Sequence, residues 1–178
     1  MMLLLAAVFI LPVVLAKFAL ENGWFNQAAT NKGELLSPLV DMSELQTTES
    51  EPKWKFVYIL PGLCEAECEN ALYSIAQVRS ALGKESDRAE VLVIVHEKSN
   101  QAQLLSLQQT QNIRLLTTEL ASLQQVFKQN STQGIFIADT LNNVILRFPL
   151  HADQEQAILH SGDILADMRK LLKLSRIG

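Results

Sequence analysis

The stretch that decides the fold is Lys53-Trp-Lys-Phe-Val-Tyr-Ile-Leu-Pro-Gly-Leu-Cys-Glu-Ala-Glu-Cys-Glu69. Its first half, Trp54 to Leu60, is β-branched and aromatic and ends at Pro61-Gly62, which predicts a strand followed by a turn. Cys64 and Cys68 come next and are the only cysteines of the chain. If a helix begins near Cys64, a spacing of four puts both sulfurs on one face of its first turns, where the helix dipole favours thiolates. Such a pair can form a disulfide, hold a soft metal ion, or change between the two states.

Helix-like and strand-like segments alternate in the rest of the chain. Apolar residues at helical spacing predict a helix over 67–82, and five consecutive apolar residues at 91–95 predict a strand buried on both faces. The other predicted elements are a helix at 101–109, a strand at 113–116, a helix from residue 118, a hairpin of strands at 134–138 and 144–148, and a final helix at 162–174. The order β-α-β-α-β-α-β-β-α predicts an α/β fold, and it is that of a thioredoxin-like fold with an inserted helix and strand.

The N-terminal segment is apolar over about the length that a bilayer span requires. Met1 to Ala16 carries no charged side chain, and extension to Leu20 adds only Lys17. A cleaved signal peptide is an alternative, because Val14-Leu15-Ala16 has the small-residue pattern of a cleavage site, and a buried core helix is a third. We predict a transmembrane anchor (or signal peptide) over 1–20, a polar tether that can include a short hairpin over 21–50, and one domain over 51–178. With an anchor or a signal, the domain lies outside the cytoplasm, where a cysteine pair can stay oxidised.

Composition and motifs exclude several classes of function. The formal net charge is −4, with the two signs scattered and no block of Lys and Arg, which argues against nucleic acid as a partner. The sequence has no glycine-rich phosphate loop, nucleophile elbow or HExxH motif. It therefore favours a protein that is not a conventional enzyme, with thiol–disulfide exchange left open.

One histidine is expected at the same edge of the sheet as the cysteine pair. Reactive groups in α/β sheets gather beyond the carboxyl ends of the parallel strands. Cys64 follows the first strand and His96 follows the strand at 91–95 directly. Two thiolates and one imidazole suit copper, so Cys64, Cys68 and His96 are candidate metal ligands, and the two cysteines are candidate thiol redox residues. A surface or hydrogen-bonded histidine with no special role is the alternative for His96.

Three glutamates surround the cysteines. Glu65, Glu67 and Glu69 raise the cost of forming thiolates beside them, which suits a bound cation better than a fast nucleophile. A structural disulfide and a pair of inert thiols are the competing interpretations. The loop that such a disulfide closes is small, so its entropic contribution to stability would also be small.

The chain resembles the SCO family of thioredoxin-fold, membrane-anchored proteins that handle copper for cytochrome c oxidase assembly, and in particular its small proteobacterial relatives. The residues that carry the resemblance are Asn31-Lys-Gly-Glu-Leu-Leu36, Lys53-Trp-Lys-Phe-Val-Tyr58, Cys64 to Cys68, Ala71-Leu-Tyr73 and Gln77-Val-Arg-Ser-Ala-Leu-Gly-Lys84. The resemblance implies transient copper binding or thiol reduction through Cys64 and Cys68. It also implies an inner-membrane location with the domain facing the periplasm, and cytochrome oxidase subunits or assembly factors as partners.

Two family positions differ in this sequence. The third copper ligand of the family, a histidine shortly before the late hairpin, would fall at Ser131 give or take one residue, and 130–133 contains no histidine. The proline that follows the second family cysteine is Glu69. Three options remain for the cysteine pair: a two-coordinate Cu(I) dithiolate, recruitment of His96, and loss of metal binding.

The alternatives to an assembly factor are a non-catalytic membrane-tethered scaffold and a general thiol–disulfide oxidoreductase. The Cys-x-x-x-Cys spacing and the absence of a proline in 130–133 disfavour the oxidoreductase.

Overall fold

A computed structural model of the chain describes residues 2–22, 31–45, 51–128 and 130–176. The chain forms two units, Met1–Asn31 and Lys32–Gly178. In chain order the elements are α1 (Met2–Glu21), β1 (Glu34–Asp41), β2 (Trp54–Ile59), α2 (Ala66–Ala81), β3 (Ala89–Val95), α3 (Gln101–Gln108), β4 (Ile113–Thr117), α4 (Leu120–Phe127), β5 (Ile135–Ala138), β6 (Asn143–Phe148) and α5 (Gln154–Leu174), with short 3-10 helices at Ser43–Leu45 and Gly83–Arg88.

The six strands form one mixed sheet in the order β1-β6-β5-β2-β3-β4. Strands β2, β3 and β4 are parallel, whereas β5, β6 and β1 add antiparallel pairs on the other side of β2. The predicted α/β class, the parallel strands and the late hairpin are therefore confirmed. The carboxyl ends of β2 and β3 lie at one edge of the sheet, as expected from their parallel pairing.

Both faces of the sheet are covered, which explains why β2 is buried at all six positions. Phe56 and Tyr58 point into a core shared with α2 and α5, together with Ile75 and Met168. The opposite face of the sheet packs Val57, Leu92 and Phe136 against α4. On that side the rings of Phe127 and Phe136 meet edge to face, with their centroids 5.5 Å apart.

The interval expected to be a tether contains a strand of the sheet. Residues Glu34–Asp41 pair with β6 as an edge strand, with an irregularity in register between Leu35 and Val40. Only Leu36 and Val40 of β1 are buried, so its sequence shows no regular alternation of apolar residues. The rest of the predicted tether falls partly on 23–30 and 46–50, outside the described residues.

The final helix also begins earlier than predicted, because Asp153 caps it by accepting a hydrogen bond from the Gln156 backbone N–H at 2.9 Å.

The N-terminal helix predicted from its apolar composition forms over Met2–Glu21 and contains Pro12. Within the described ranges, no helix is long and apolar enough to cross a membrane. The transmembrane anchor expected over residues 1–20 is therefore not confirmed.

Candidate functional site

The loop between β2 and α2 is held against the loop that follows β3. The backbone N–H of Leu60 donates to the Ile94 carbonyl at 2.9 Å, and that of Asn100 donates to the Pro61 carbonyl at 2.8 Å. A side chain at Gly62 would place its Cβ 2.7 Å from the carbonyl oxygen of Lys98, so the two loops can approach this closely only because residue 62 is glycine. This contact fixes the path of the chain into the cysteine pair.

Cys64 and Cys68 are joined by a disulfide, with their Cα atoms 5.1 Å apart. The helix begins at Ala66, so only Cys68 is helical, and Cys64 lies in the preceding loop. The helix predicted over 67–82 is confirmed as α2, and because it does not begin near Cys64, the condition for both sulfurs to share its first turns is not met. Cys68 is 3% exposed within the main core, whereas Cys64 is half-buried against its edge. The two sulfurs therefore differ in accessibility, with Cys64 the easier to reach.

A cleft of about 400 Å³ opens beside the disulfide. Cys68 borders it, and the end of β2 supplies Tyr58 and Ile59. The remaining lining comes from the two loops after β2 and β3, the start of α2, the segment before β5 and the loop after β6: Pro61, Leu63, Glu65, Ala66, Glu67, His96, Thr132, Gln133, Gly134, Leu150 and Ala152. Thr132 lies within one residue of Ser131, where the third copper ligand was expected, and the segment 132–134 that lines the cleft contains no histidine.

His96 shares the cleft with Cys68, but its imidazole takes part in the local loop structure. The Lys98 backbone N–H donates to His96 Nδ1 at 3.2 Å, and the His96 backbone N–H donates to Ser99 Oγ at 3.0 Å. A neutral imidazole that accepts at Nδ1 carries its proton on Nε2, so ligation through Nε2 would require the other tautomer and the loss of the Lys98 contact. Across the described part of the chain, no three His, Cys, Asp or Glu side chains are grouped to hold a metal ion. A role of His96 as a ligand thus stays a prediction.

Tyr58 is a member of the site that sequence reasoning did not identify. Its side chain is 2% exposed and borders the cleft. Burial raises the pKa of the Tyr58 phenol from its ordinary value of 10.0 to about 12, and the nearby carboxylate of Glu67 adds to the increase. The site therefore contains a phenol that stays protonated over the whole physiological range. In the sequence Tyr58 is one more aromatic residue of a buried strand, and its place in the cleft depends on the tertiary fold.

The high pKa of Tyr58 predicts a loss of stability in alkali. The unfolded chain ionises this phenol near pH 10 and the folded chain near pH 12. Ionisation of Tyr58 therefore leaves the free energy of unfolding unchanged below about pH 10 and lowers it as the pH rises from about 10 to about 12. The loss attributable to Tyr58 is about 2–3 kcal/mol. A Tyr73→Phe variant leaves Tyr58 as the only tyrosine. Its tyrosinate absorbance should show a midpoint of about 12 while circular dichroism reports the folded state, whereas a midpoint near 10 in folded protein would contradict this environment for Tyr58.

The mixed sheet, the helices on both of its faces and the cysteine pair after the first parallel strand define a thioredoxin-like protein. A family model described as "Transmembrane-like, thioredoxin-like, C-terminal domain" matches residues 54–175, and the chain belongs to this family. None of the curated proteins matches the chain.

Solved structures with the same fold are similar to the chain at low sequence identity. An uncharacterized thioredoxin-like protein from Porphyromonas gingivalis is 12% identical, with a TM-score of 0.52, over 81% of this chain and 95% of that one. A SCO1/SenC family lipoprotein from Bacillus anthracis is 14% identical, with a TM-score of 0.49, over 80% and 96% of the two chains. ScoI from Bradyrhizobium japonicum, solved with copper bound, is 17% identical, with a TM-score of 0.43, over 63% and 85%. SCO proteins are thus among the structural neighbours, and the family match establishes the predicted thioredoxin-like fold.

Proposed function

We propose that this protein is an accessory factor of cytochrome c oxidase biogenesis that acts by thiol–disulfide exchange through Cys64 and Cys68. The observation that carries the proposal is a disulfide at the edge of a cleft, with one half-buried sulfur and one buried sulfur. Since the loop between the cysteines is small, the bond adds little stability by restricting the unfolded chain. A reversible use of the pair accounts for its position better than a structural one does.

The two cysteines have different roles in the proposed reaction. In the reduced protein, the Cys64 thiolate attacks a disulfide of the partner, which forms a mixed disulfide and releases one partner thiol. The Cys68 thiolate then attacks Cys64 Sγ in the mixed disulfide, which closes the Cys64–Cys68 bond and releases the second partner thiol. Two electrons pass from the pair to the partner, and the two protons of the cysteine thiols are transferred to the released thiolates. Cys68 is the third residue of α2, where the helix dipole stabilises its thiolate.

Copper is a second proposed substrate, which the Cys64 and Cys68 thiolates can bind. When the pair is reduced, Cys64 and Cys68 supply two thiolates, and soft thiolate ligands suit Cu(I). These two residues would hold the ion as a two-coordinate dithiolate, and the bound ion would be passed to a partner rather than used in a reaction. The proposal rests here on the resemblance to the SCO family together with the cysteine pair.

The cellular setting in this proposal also comes from the resemblance. The segment 1–20 attaches the protein to the inner membrane or directs its export, and the thioredoxin-like domain faces the periplasm. Its partners there are cytochrome oxidase subunits or other assembly factors. Two of the similar structures, the SCO1/SenC lipoprotein and an exposed lipoprotein thioredoxin from Streptococcus pneumoniae, are by their descriptions lipoproteins.

Complementation of a strain that lacks the protein tests the proposed function. Wild-type protein should restore cytochrome c oxidase activity, whereas Cys64→Ser and Cys68→Ser proteins at the same abundance should not. Restoration by both serine variants would favour the scaffold, and unchanged oxidase activity in the deletion strain would remove the link to oxidase biogenesis.

Cu(I) titration of the reduced protein then separates copper transfer from thiol–disulfide exchange. A one-to-one complex that is lost in Cys64→Ser supports copper transfer, and the absence of binding leaves thiol exchange alone.

A further inference from the structure

We propose that the cleft beside the disulfide selects partners that carry positive charge next to their reactive sulfur, such as a cysteine flanked by Lys or Arg. This inference rests on the proposed thiol exchange and names its substrate class. It has two independent supports, which are the uncompensated charge at the rim of the cleft and a nearly buried tyrosine side chain that lines the cleft and makes no hydrogen bond within the described residues.

The rim of the cleft carries carboxylates that form no ion pair within the part of the chain that the structure describes. Glu65 and Glu67 line the cleft, and Glu69 follows one residue after Cys68. All three are exposed, and none forms an ion pair or a side-chain hydrogen bond with a residue in the described ranges. Glu65 occupies the N-cap position of α2 but makes no side-chain capping bond. These carboxylates are thus available to a ligand.

The other walls of the cleft leave this negative charge in place. From the loop after β3 only His96 lines the cleft, and the two charged residues that follow it, Glu97 and Lys98, have opposite signs. The segment 132–134 is uncharged. Arg147 approaches it from β6, but its Nε donates to the Gln133 carbonyl at 2.9 Å and its Nη1 lies 3.4 Å from a Glu34 carboxylate oxygen. A sulfur compound that enters the cleft therefore meets a net negative potential, which attracts cations and repels anions.

Tyr58 provides the second, independent support. Tyr58 is only 2% exposed and lines the cleft, and within the described residues its hydroxyl makes no hydrogen bond. A hydroxyl that borders a cleft and has no protein partner is available to a ligand as a donor or an acceptor. The protonated hydroxyl would donate to a carbonyl oxygen of a bound peptide. Leu63, which is 68% exposed, and Leu150 add apolar surface for the aliphatic stems of Lys or Arg.

The selectivity can be measured on the complete exchange run in reverse, with small thiols as probes. Two molecules of a monothiol reduce one Cys64–Cys68 disulfide. The first forms a mixed disulfide, the second releases the small-molecule disulfide, and the protein gains two electrons and two protons. Cysteamine, mercaptoethanol and mercaptopropionate carry positive, zero and negative charge. Each rate on the full chain is divided by the rate of the same thiol with a neutral small disulfide, which removes intrinsic differences in reactivity.

We expect the normalised rate of cysteamine to exceed that of mercaptopropionate about tenfold at low ionic strength. High salt should reduce this ratio to about twofold, because the Debye length becomes shorter than the cleft. The double variant Glu65→Gln/Glu67→Gln should bring the low-salt ratio near one. The matched control Glu44→Gln/Asp87→Asn removes the same charge from exposed positions outside the cleft and should keep the ratio.

The results that overturn the inference differ from those that overturn the proposed function. Equal normalised rates for the three thiols, or equal loss of selectivity in both double variants, would show that the rim does not select cationic partners. In that case the pair is still reducible and the proposed exchange stands. If none of the thiols reduces the pair in the native protein, the proposed exchange itself fails.

Discussion

Replacement of Cys68 by serine is expected to trap the protein as a stable mixed disulfide through Cys64. The half-buried Cys64 can still attack a disulfide, but the second thiol that would resolve the product is missing. Because an intramolecular thiol resolves such a bond far faster than a dilute external thiol, the lifetime of the mixed disulfide should increase about a hundredfold or more. Intact-protein mass spectrometry after an acid quench, with a peptide disulfide as the probe, measures this lifetime.

The matched variant Cys64→Ser should behave differently. Its remaining thiol, Cys68, is 3% exposed in the core, so formation of the mixed disulfide should be slower by about tenfold or more than in Cys68→Ser. The asymmetry follows from the burial of the two sulfurs and not from the spacing of the cysteines. Equal rates in the two variants, or faster capture by Cys68, would contradict the assignment of Cys64 as the attacking sulfur.

Replacement of Asp167 by alanine is expected to destabilise the domain by about 2–4 kcal/mol. The carboxylate of Asp167 lies on the buried side of α5 and is 3% exposed. Its Oδ2 accepts the backbone N–H groups of Lys32 at 2.7 Å and of Gly33 at 2.8 Å, which ties the segment that enters β1 to the last helix. The variant loses both charge-assisted bonds and leaves two donors without their acceptor. Denaturant unfolding measures the change in the free energy of unfolding.

Two further variants make this prediction specific. Asp167→Asn keeps a side-chain oxygen that can accept both N–H groups, so it should cost clearly less than alanine. Asp163→Ala removes a carboxylate from the same helix one turn earlier, where it is partly exposed and lies 3.4 Å from His160 Nδ1, and should change stability by about 0.5 kcal/mol or less. If Asp167→Ala is no more destabilising than Asp163→Ala, the contact with β1 does not contribute to stability.

The central elements of the fold could be predicted because their sequences carry strong local signals. The five apolar residues of Val91–Val95 indicate a strand covered on both faces, and β3 includes all of them. Strand β1 could not be predicted in the same way. Its pairing depends on β6, more than a hundred residues away, and on Asp167, and its own burial pattern is irregular. An edge strand that is held by distant partners leaves little trace in its own sequence.

The site could be predicted in part for a similar reason. The spacing of Cys64 and Cys68 and their position after a strand identify the pair, but the sequence leaves a disulfide, a metal clamp and a switch open. Which residues surround the pair depends on four separate segments, around residues 58–68, 96, 132–134 and 150–152, that meet only in the folded chain. Tyr58 and the residues 132–134 belong to that group. The acidic residues Glu65 and Glu67 were visible in the sequence, whereas their exposure beside an open cleft was not.

The reversibility of the Cys64–Cys68 bond in the folded protein is the central claim, and an equilibrium redox titration tests it directly. The full chain is equilibrated with mixtures of oxidised and reduced dithiothreitol, free thiols are alkylated, and the mass shift gives the reduced fraction while circular dichroism reports the fold. We predict one two-electron transition with an unchanged circular dichroism spectrum. A bond that stays oxidised until the protein is denatured, or a domain that unfolds as the bond is reduced, would make the disulfide structural and contradict this account.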